Sequence, residues 1–238
     1  MLKHGHAGWP EAVVFDLDGT LIDSAGDIAG ALNAVLATRG LAPFPVERVK
    51  QMIGGGIPKL VERALLAHGV SRDALLPLAQ DFIRVYGENL TVETKIFDGG
   101  LEVLDRLAAE GRKLGICTNK QHDLTVRLLD ELSIADYFGI VVGERIGAPK
   151  KPDAAPLHAV LSGLGVTPER AVMVGDSSAD VGCARAAGMP CILLTHGYST
   201  VPARELGADL VIDRLADIHG AIAELALVRT VGAATSTQ

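Results

Sequence analysis

Short apolar runs alternate with amphipathic stretches along most of this chain, a pattern that predicts a sheet flanked by helices. Residues 12–15 (Ala-Val-Val-Phe) form an apolar run that leads directly into acidic residues, as expected for a buried strand. From Gly99 onward, similar runs alternate with stretches that are apolar on one face, which indicates a parallel sheet. The further predicted strands are 113–117, 140–142, 171–174, 191–194 and 210–212. The predicted helices around them are 101–109, 123–132, 154–164, 179–187 and 215–227.

The region between the first strand and Gly99 has no strand-like run and predicts helices only. Ser24 is a plausible N-cap for the first helix, Pro45 opens a short second one, and three consecutive glycines stop it. Leu60 and Val61 recur with Ala64 and Leu65 at helical spacing in a third helix, and a fourth covers about 72–88.

These patterns together predict an α/β fold. We expect a Rossmann-like parallel sheet core with helices on both faces, plus an inserted all-helical cap domain. The core would comprise residues 10–23 and 93–230, the cap 24–92, and a flexible tail 231–238.

Composition excludes several classes of protein. The 238 residues are 48% hydrophobic and 21% charged, which is typical of a globular protein, and the net charge of −7 provides no basic surface for nucleic acid. No apolar run reaches the ~20 residues that span a membrane, and residues 1–10 lack a signal-peptide core, so we expect a cytoplasmic location. The three cysteines form no Cys-x-x-Cys pair, which argues against a disulfide framework or a zinc site. Nothing in the sequence specifies an oligomeric state.

The end of the first strand carries the first candidate site. Asp16 and Asp18 are separated by one residue, and such close like charges repel unless a cation joins them. Mg²⁺, which prefers oxygen ligands, is the cation expected here. Gly19 allows an abrupt turn and Thr20 offers a hydroxyl group. A solvated Asp-Gly turn is the alternative.

Later strand ends offer further candidates. Thr118 and Asn119 precede a predicted helix, where they could receive an anion or only cap the helix. Lys151 supplies a cation, although a loop lysine is usually solvated and Lys150 stands beside it. Asp176 and Asp180 lie one helical turn apart; Asp180 could face a metal or only the helix dipole.

The order of these residues resembles the haloacid dehalogenase-like superfamily of phosphohydrolases. The four motifs of that superfamily are Asp-x-Asp-x-Thr, a Ser or Thr, a Lys, and Gly-Asp-x-x-x-Asp. They match Asp16-Leu17-Asp18-Gly19-Thr20, Thr118-Asn119, Lys151-Pro152 and Gly175-Asp176-Ser177-Ser178-Ala179-Asp180. The resemblance extends over about residues 12–227.

Within the superfamily, the helical insert is similar to the cap of phosphoglycolate phosphatases. Gly54, Gly55 and Gly56 precede a helix, where free amides could receive the carboxylate of 2-phosphoglycolate, with Lys59 and Arg63 as candidate helpers. A helix stop followed by a flexible loop, with solvated charges, is the alternative.

The resemblance implies a Mg²⁺-dependent phosphomonoester hydrolase. Asp16 would attack phosphorus and form an aspartyl-phosphate, and Asp18, protonated at the outset, would act as general acid and base. Thr118, Asn119, Lys151 and Gly19 would bind the phosphate. Asp16, Asp18 through its backbone carbonyl, and Asp176 would hold Mg²⁺, with Asp180 as an outer or secondary ligand.

The expected partner is a small phosphorylated metabolite, and 2-phosphoglycolate is the expected substrate. Alternatives are a phosphatase for sugar phosphates or pyrophosphate, and a phosphosugar mutase, although Thr20 and the lack of a histidine between Asp18 and His68 favour hydrolysis. A receiver-like phospho-aspartate switch is the non-enzymatic alternative; it would need only about half of this length and no cap.

Overall fold

A computed structural model describes residues 8–235, with side chains described through residue 229. Its strands are β1 Ala12–Phe15, β2 Ile22–Asp23, β3 Lys95–Ile96, β4 Lys113–Gln121, β5 Ile140–Glu144, β6 Ala171–Gly175, β7 Cys191–Leu194 and β8 Leu210–Ile212. Its α-helices are α1 Ala25–Ala37, α2 Val46–Lys50, α3 Ile57–Ala67, α4 Leu75–Gly87, α5 Gly100–Ala109, α6 His122–Glu131, α7 Ala155–Leu164, α8 Ser178–Ala186 and α9 Ile218–Thr235.

Six strands form one parallel sheet in the order β5-β4-β1-β6-β7-β8. Alternate residues of β1 belong to two separate apolar cores, because successive side chains of a strand point to opposite faces. Val13 and Phe15 pack with residues of α5, α6 and α9, whereas Ala12 and Val14 pack with residues of α7 and α8. Helices therefore cover both faces of the sheet, and the predicted fold class is confirmed.

The cap consists of the helices α1 to α4, inserted after β1. Helix α4 packs against α1 and α3, and α2 packs against α1. The four apolar residues whose spacing predicted α3 (Leu60, Val61, Ala64 and Leu65) are all buried. Their apolar core continues into the core on one face of the sheet.

Two short strands connect the cap to the sheet domain. Strand β2 leads into the cap and pairs antiparallel with β3, which leads out of it, with Ile22 opposite Ile96. Sequence analysis did not predict this ribbon, because two residues are too few to show an alternating pattern. The carboxylate of Asp27 reinforces the junction by accepting hydrogen bonds from the amides of Glu93 and Thr94 and from the Thr94 hydroxyl.

Strand β4 and the last helix extend well beyond their predicted ends. Strand β4 continues past residue 117 to Gln121 although its last residues are polar, and those from Thr118 to Lys120 are buried. The last helix was predicted to end at residue 227 but continues to Thr235, and positions 236–238 of the predicted tail lie outside the described residues. Within the described part of the chain, no helix has the length and apolarity needed to cross a membrane.

Candidate active site

The carboxyl ends of the central strands converge on one cavity beneath the cap. Because β4, β1 and β6 are neighbours and parallel, the residues that follow or end them meet at one edge of the sheet. The cavity has a volume of about 120 Å³. Its lining includes most of the predicted chemical residues: Asp16, Asp18, Thr118, Asn119, Lys151 and Asp176.

Three buried carboxylates cluster at this edge, next to the ammonium group of Lys151. Oxygen atoms of Asp16, Asp176 and Asp180 lie within 4.8 Å of one another. Lys151 Nζ lies 2.9 Å from Asp16 Oδ1 and 2.6 Å from Asp180 Oδ1. Burial raises the pKa of Asp16 to about 6, an effect that Lys151 opposes and Asp180 increases. Burial, Asp180 and Asp16 raise the pKa of Asp176 well above its ordinary value.

A divalent cation fits this cluster. When all three acids are ionised, one lysine leaves an excess of negative charge in a buried place, which is unfavourable without a further cation. The contact of Lys151 with Asp16 Oδ1 is an ion pair without hydrogen-bond alignment, so that buried oxygen atom retains a lone pair. Carboxylate oxygen atoms are the ligands that hard cations prefer.

Asp180 both caps a helix and holds Lys151. Its Oδ2 accepts hydrogen bonds from the amides of Asp176 and Ser177 and from the Ser177 hydroxyl, which completes a capping box at the start of α8. Its Oδ1 accepts a hydrogen bond from Lys151 at 2.6 Å. Both of its oxygen atoms are thus already engaged by the protein.

Asp176 is held by two partners and approached closely by a glycine. Its carboxylate accepts hydrogen bonds from Thr20 Oγ1 at 3.2 Å and from the amide of Tyr198 at 2.8 Å. Gly19, predicted to bind phosphate, instead donates its amide to the carbonyl of Ile22. A Cβ atom at Gly19 would lie 2.8 Å from Asp176 Oδ2, so glycine is needed here for close packing as well as for its φ of +85°.

Thr118 and Asn119 lie within β4 and not at a helix N-terminus, because that strand continues to Gln121. Both side-chain groups of Asn119 bind the main chain of Lys151: Nδ2 donates to its carbonyl, and Oδ1 accepts from its amide, each at 3.0 Å. The Asn119 side chain therefore positions Lys151. Thr118 lines the cavity, and its hydroxyl accepts a hydrogen bond from the amide of Lys120.

The structure separates the two adjacent lysines. Lys151 is buried against the acidic cluster. Lys150 donates to Glu144 Oε1 and, at 2.7 Å, to the carbonyl of Gly55 in the cap. Lys151 is thus the one beside the carboxylates.

Lys120 and Tyr86 line the cavity, and sequence analysis gave them no role. Lys120 Nζ lies 3.0 Å from Asp18 Oδ1 and donates to the Tyr86 hydroxyl at 2.6 Å. Burial opposes the charge of Lys120, but Asp18 and Tyr86 raise its pKa above the ordinary value. Burial also raises the pKa of Tyr86 to about 12, so its hydroxyl stays neutral. Strand alternation could have identified Lys120, because it stands two residues after Thr118, but β4 was predicted to end too early.

Ser24 has a different partner from the one expected of an N-cap. It precedes α1, but its side chain makes no capping hydrogen bond. Its hydroxyl lies 2.6 Å from Asp18 Oδ1 and donates to it. The Tyr198 hydroxyl accepts from the amide of Ser24 and donates to Asp23 Oδ1, which joins the base of the cap to the loop after β7.

The cap contributes apolar side chains and a glycine loop to the cavity. Gly54, Gly55 and Gly56 line it, all with φ between +86° and +97°. The other predicted cap residues do not. Arg63 donates to the carbonyls of Met52, Ile53 and Gly54, and Lys59 forms a half-exposed ion pair with Glu62.

Comparisons with known proteins agree with this architecture. The family model of haloacid dehalogenase-like hydrolases matches residues 13–194. A phosphoglycolate phosphatase from Caulobacter vibrioides is 42% identical over 87% of this chain and 88% of its own length. One from Rhodospirillum rubrum is also 42% identical, over 88% and 89%. The crystal structure of a predicted phosphoglycolate phosphatase from Haemophilus somnus superposes with a TM-score of 0.82 at 29% identity, covering 88% of this chain and 96% of that one. The chain belongs to the haloacid dehalogenase-like hydrolase family.

Proposed function

We propose that this protein is a Mg²⁺-dependent phosphatase that hydrolyses 2-phosphoglycolate to glycolate and phosphate. The observation that carries the proposal is the placement of Asp16 directly after β1, where it pairs with Lys151 and clusters with the buried carboxylates of Asp176 and Asp180. The similarity to phosphoglycolate phosphatases over most of both chains supports the substrate.

Asp16, Asp176 and the backbone carbonyl of Asp18 would hold the Mg²⁺ ion, with Asp180 acting through Lys151. When bound, the ion neutralises negative charge on the phosphate and on the attacking carboxylate. The chain's own part is to keep three carboxylates close together against their repulsion, which Lys151 and the hydrogen bonds to Asp176 and Asp180 accomplish.

Asp16 acts as the nucleophile. One of its oxygen atoms forms a bond to phosphorus while the bond from phosphorus to the glycolate oxygen breaks. Asp18 gives its proton to the departing oxygen and later takes a proton from the water that cleaves the aspartyl-phosphate. Lys151 and the Thr118 hydroxyl interact with the phosphoryl oxygen atoms, where negative charge must be stabilised.

The glycine loop of the cap supplies a seat for the substrate carboxylate. Arg63 binds the carbonyls of Met52, Ile53 and Gly54 on one side, and Lys150 binds that of Gly55. In each trans peptide unit the N–H points away from the C=O, so the amides of the three glycines face away from these cations. Because these glycines line the cavity, their amides would be available to an anion bound there.

Phosphate release in the presence of Mg²⁺ tests the proposal. The substrates are 2-phosphoglycolate, ethyl phosphate, a hexose phosphate and pyrophosphate. We expect the highest kcat/KM for 2-phosphoglycolate, and we expect Asp16→Asn to lower kcat by roughly 10⁴-fold or more while the circular dichroism spectrum is unchanged.

Three results would contradict parts of the proposal. Activity retained by Asp16→Asn would refute the assignment of Asp16 as the nucleophile. A phosphorylated Asp16 that persists without turnover would instead indicate a switch. A preference for the hexose phosphate would refute 2-phosphoglycolate as the substrate, while the proposal of a phosphatase would stand.

A further inference from the structure

Two buried lysines line the cavity, and only one of them is explained by phosphate chemistry. Lys151 pairs with the acidic cluster. Lys120 pairs instead with Asp18, whose carboxylate stands apart from that cluster. Lys120 is buried and pairs with Asp18 and not with the cluster, so its charge must have a purpose other than neutralising those three carboxylates.

Lys120 restricts the orientation of Asp18. Its Nζ donates to both carboxylate oxygen atoms of Asp18, at 3.0 and 3.2 Å, and Ser24 Oγ donates to one of them at 2.6 Å. These donors come from different elements, β4 and the start of α1, so together they limit rotation of the carboxyl group. A displacement of about 1 Å in a catalytic group can cost on the order of 100-fold in rate.

Tyr86 of the cap fixes Lys120 in turn. Its hydroxyl accepts a hydrogen bond from Lys120 Nζ at 2.6 Å, and the ammonium lies 4.6 Å from the centre of its ring. Tyr86 is 2% exposed and stacks on Phe82 within α4. A lysine side chain has several rotatable bonds, and a rigid second partner removes much of that freedom.

We propose that Lys120 is a positioning residue that directs Asp18 toward the leaving oxygen, and that Tyr86 holds Lys120 for this task from the cap. The inference rests on the proposed function, in which Asp18 donates a proton. Asp18 would then have its full set of partners only while α4 lies against the sheet domain.

A comparison of leaving groups isolates this role. Ethyl phosphate and acetyl phosphate are similar in size, and neither carries a carboxylate. When Asp16 attacks ethyl phosphate, the departing oxygen must take the proton of Asp18 to leave as ethanol. Acetyl phosphate releases acetate, a stable anion that takes the electron pair and needs no proton. The parameter to measure is kcat/KM, because it covers the phosphorylation step and excludes the later hydrolysis that both substrates share.

We expect Lys120→Met to lower kcat/KM about 100-fold for ethyl phosphate and for 2-phosphoglycolate, but less than about fivefold for acetyl phosphate. Tyr86→Phe keeps the ring and its packing while removing the hydroxyl. It should lower kcat/KM about tenfold for ethyl phosphate, with little change for acetyl phosphate. This variant tests the inference even if Lys120→Met folds poorly.

Arg127→Met is the matched control. Arg127 donates to the carbonyl of Gly87, the residue after Tyr86, so this variant removes a neighbouring contact between cap and core without touching Asp18 or its partners. We expect it to retain the wild-type ratio of the two kcat/KM values.

Three outcomes would overturn the inference. Equal losses with both leaving groups would assign Lys120 and Tyr86 a structural role only. A loss confined to 2-phosphoglycolate would mean that Lys120 binds the substrate carboxylate directly. A wild-type protein that releases phosphate from none of the three compounds would refute the proposed function and this inference with it.

Discussion

The sheet domain and the cap line the cavity with different kinds of residue. The sheet domain contributes charged and polar side chains: Asp16, Asp18, Thr118, Lys120, Lys151 and Asp176. The cap contributes mainly apolar side chains and glycine backbone: Ile28, Ile53, Gly54, Gly55, Gly56, Ile57, Leu60 and Phe82. Catalysis requires charged groups at fixed positions, and the ends of strands provide such positions. Selection of a small substrate requires a cavity of suitable shape and a few polar groups such as amides. The comparison teaches that the charged groups of the cavity come from the sheet domain, whereas the cap supplies mainly its shape.

The largest expected effect lies in the charged half. Asp176→Asn keeps the shape of the side chain and removes one negative charge. Its Oδ1 can still accept from the amide of Tyr198, and its Nδ2 would donate to the Thr20 hydroxyl, which donates to Asp176 in the wild type. Activity should fall on the order of 10³-fold, because the metal site loses a ligand charge. The measurement is phosphate release as a function of Mg²⁺ concentration.

The same variant should be more stable than the wild type without metal. The pKa of Asp176 is raised in the folded state, so folding takes up a proton and stability is lost as pH rises from the unfolded pKa toward the folded one. An asparagine escapes this loss at neutral pH. Thermal unfolding in EDTA should give a higher Tm for Asp176→Asn, and added Mg²⁺ should raise the Tm of the wild type more. A lower Tm in EDTA would contradict the charge-repulsion account.

An intermediate effect is expected in the cap half. Gly55→Ala places a Cβ at a φ of +87°, which strains the glycine loop that lines the cavity. We expect kcat/KM for 2-phosphoglycolate to fall about tenfold, which corresponds to about 1.4 kcal/mol of lost binding to its carboxylate. Ethyl phosphate has no carboxylate, so its kcat/KM should fall only about twofold.

Gly69→Ala is the control for Gly55→Ala. Gly69 also has a positive φ, +67°, but it does not line the cavity. It should lose a similar amount of stability and retain the wild-type substrate preference. If Gly55→Ala lowered kcat/KM equally for both substrates, the proposal that the glycine loop binds the substrate carboxylate would be wrong.

The smallest effect should come from Lys59→Met. Lys59 pairs with Glu62 at the surface, with 54% of its side chain exposed, and such pairs contribute about 0–1 kcal/mol. Kinetics on 2-phosphoglycolate should stay within about twofold of the wild type. A tenfold rise in KM would show that this lysine reaches the substrate and that the cap half does use charge.

The sequence was most informative where chemistry follows a strand. Asp16 and Asp176 could be placed together because the strands before them are short, apolar and parallel, and the carboxyl ends of such strands meet. Lys120 was missed because a buried polar segment does not look like a strand: Thr118 and its neighbours continue β4 while bonded to other buried groups.

Cap chemistry was harder to predict for a physical reason. An arginine such as Arg63 looks the same in sequence whether it binds a substrate or three backbone carbonyls, and only the fold decides between them. Gly19 shows the same limit, because the choice between anion binding and close packing depends on Asp176, 157 positions further along the chain.

The β2–β3 ribbon has a consequence for the history of such proteins. The chain leaves and re-enters the sheet domain at hydrogen-bonded neighbours, so the length of the segment between them does not affect the path of the sheet. A cap of different size or sequence could be exchanged there as one unit, and the strand ends that carry Asp16 and Asp176 would keep their register. New substrates could thus be acquired by replacing an insert, while the catalytic edge is inherited unchanged.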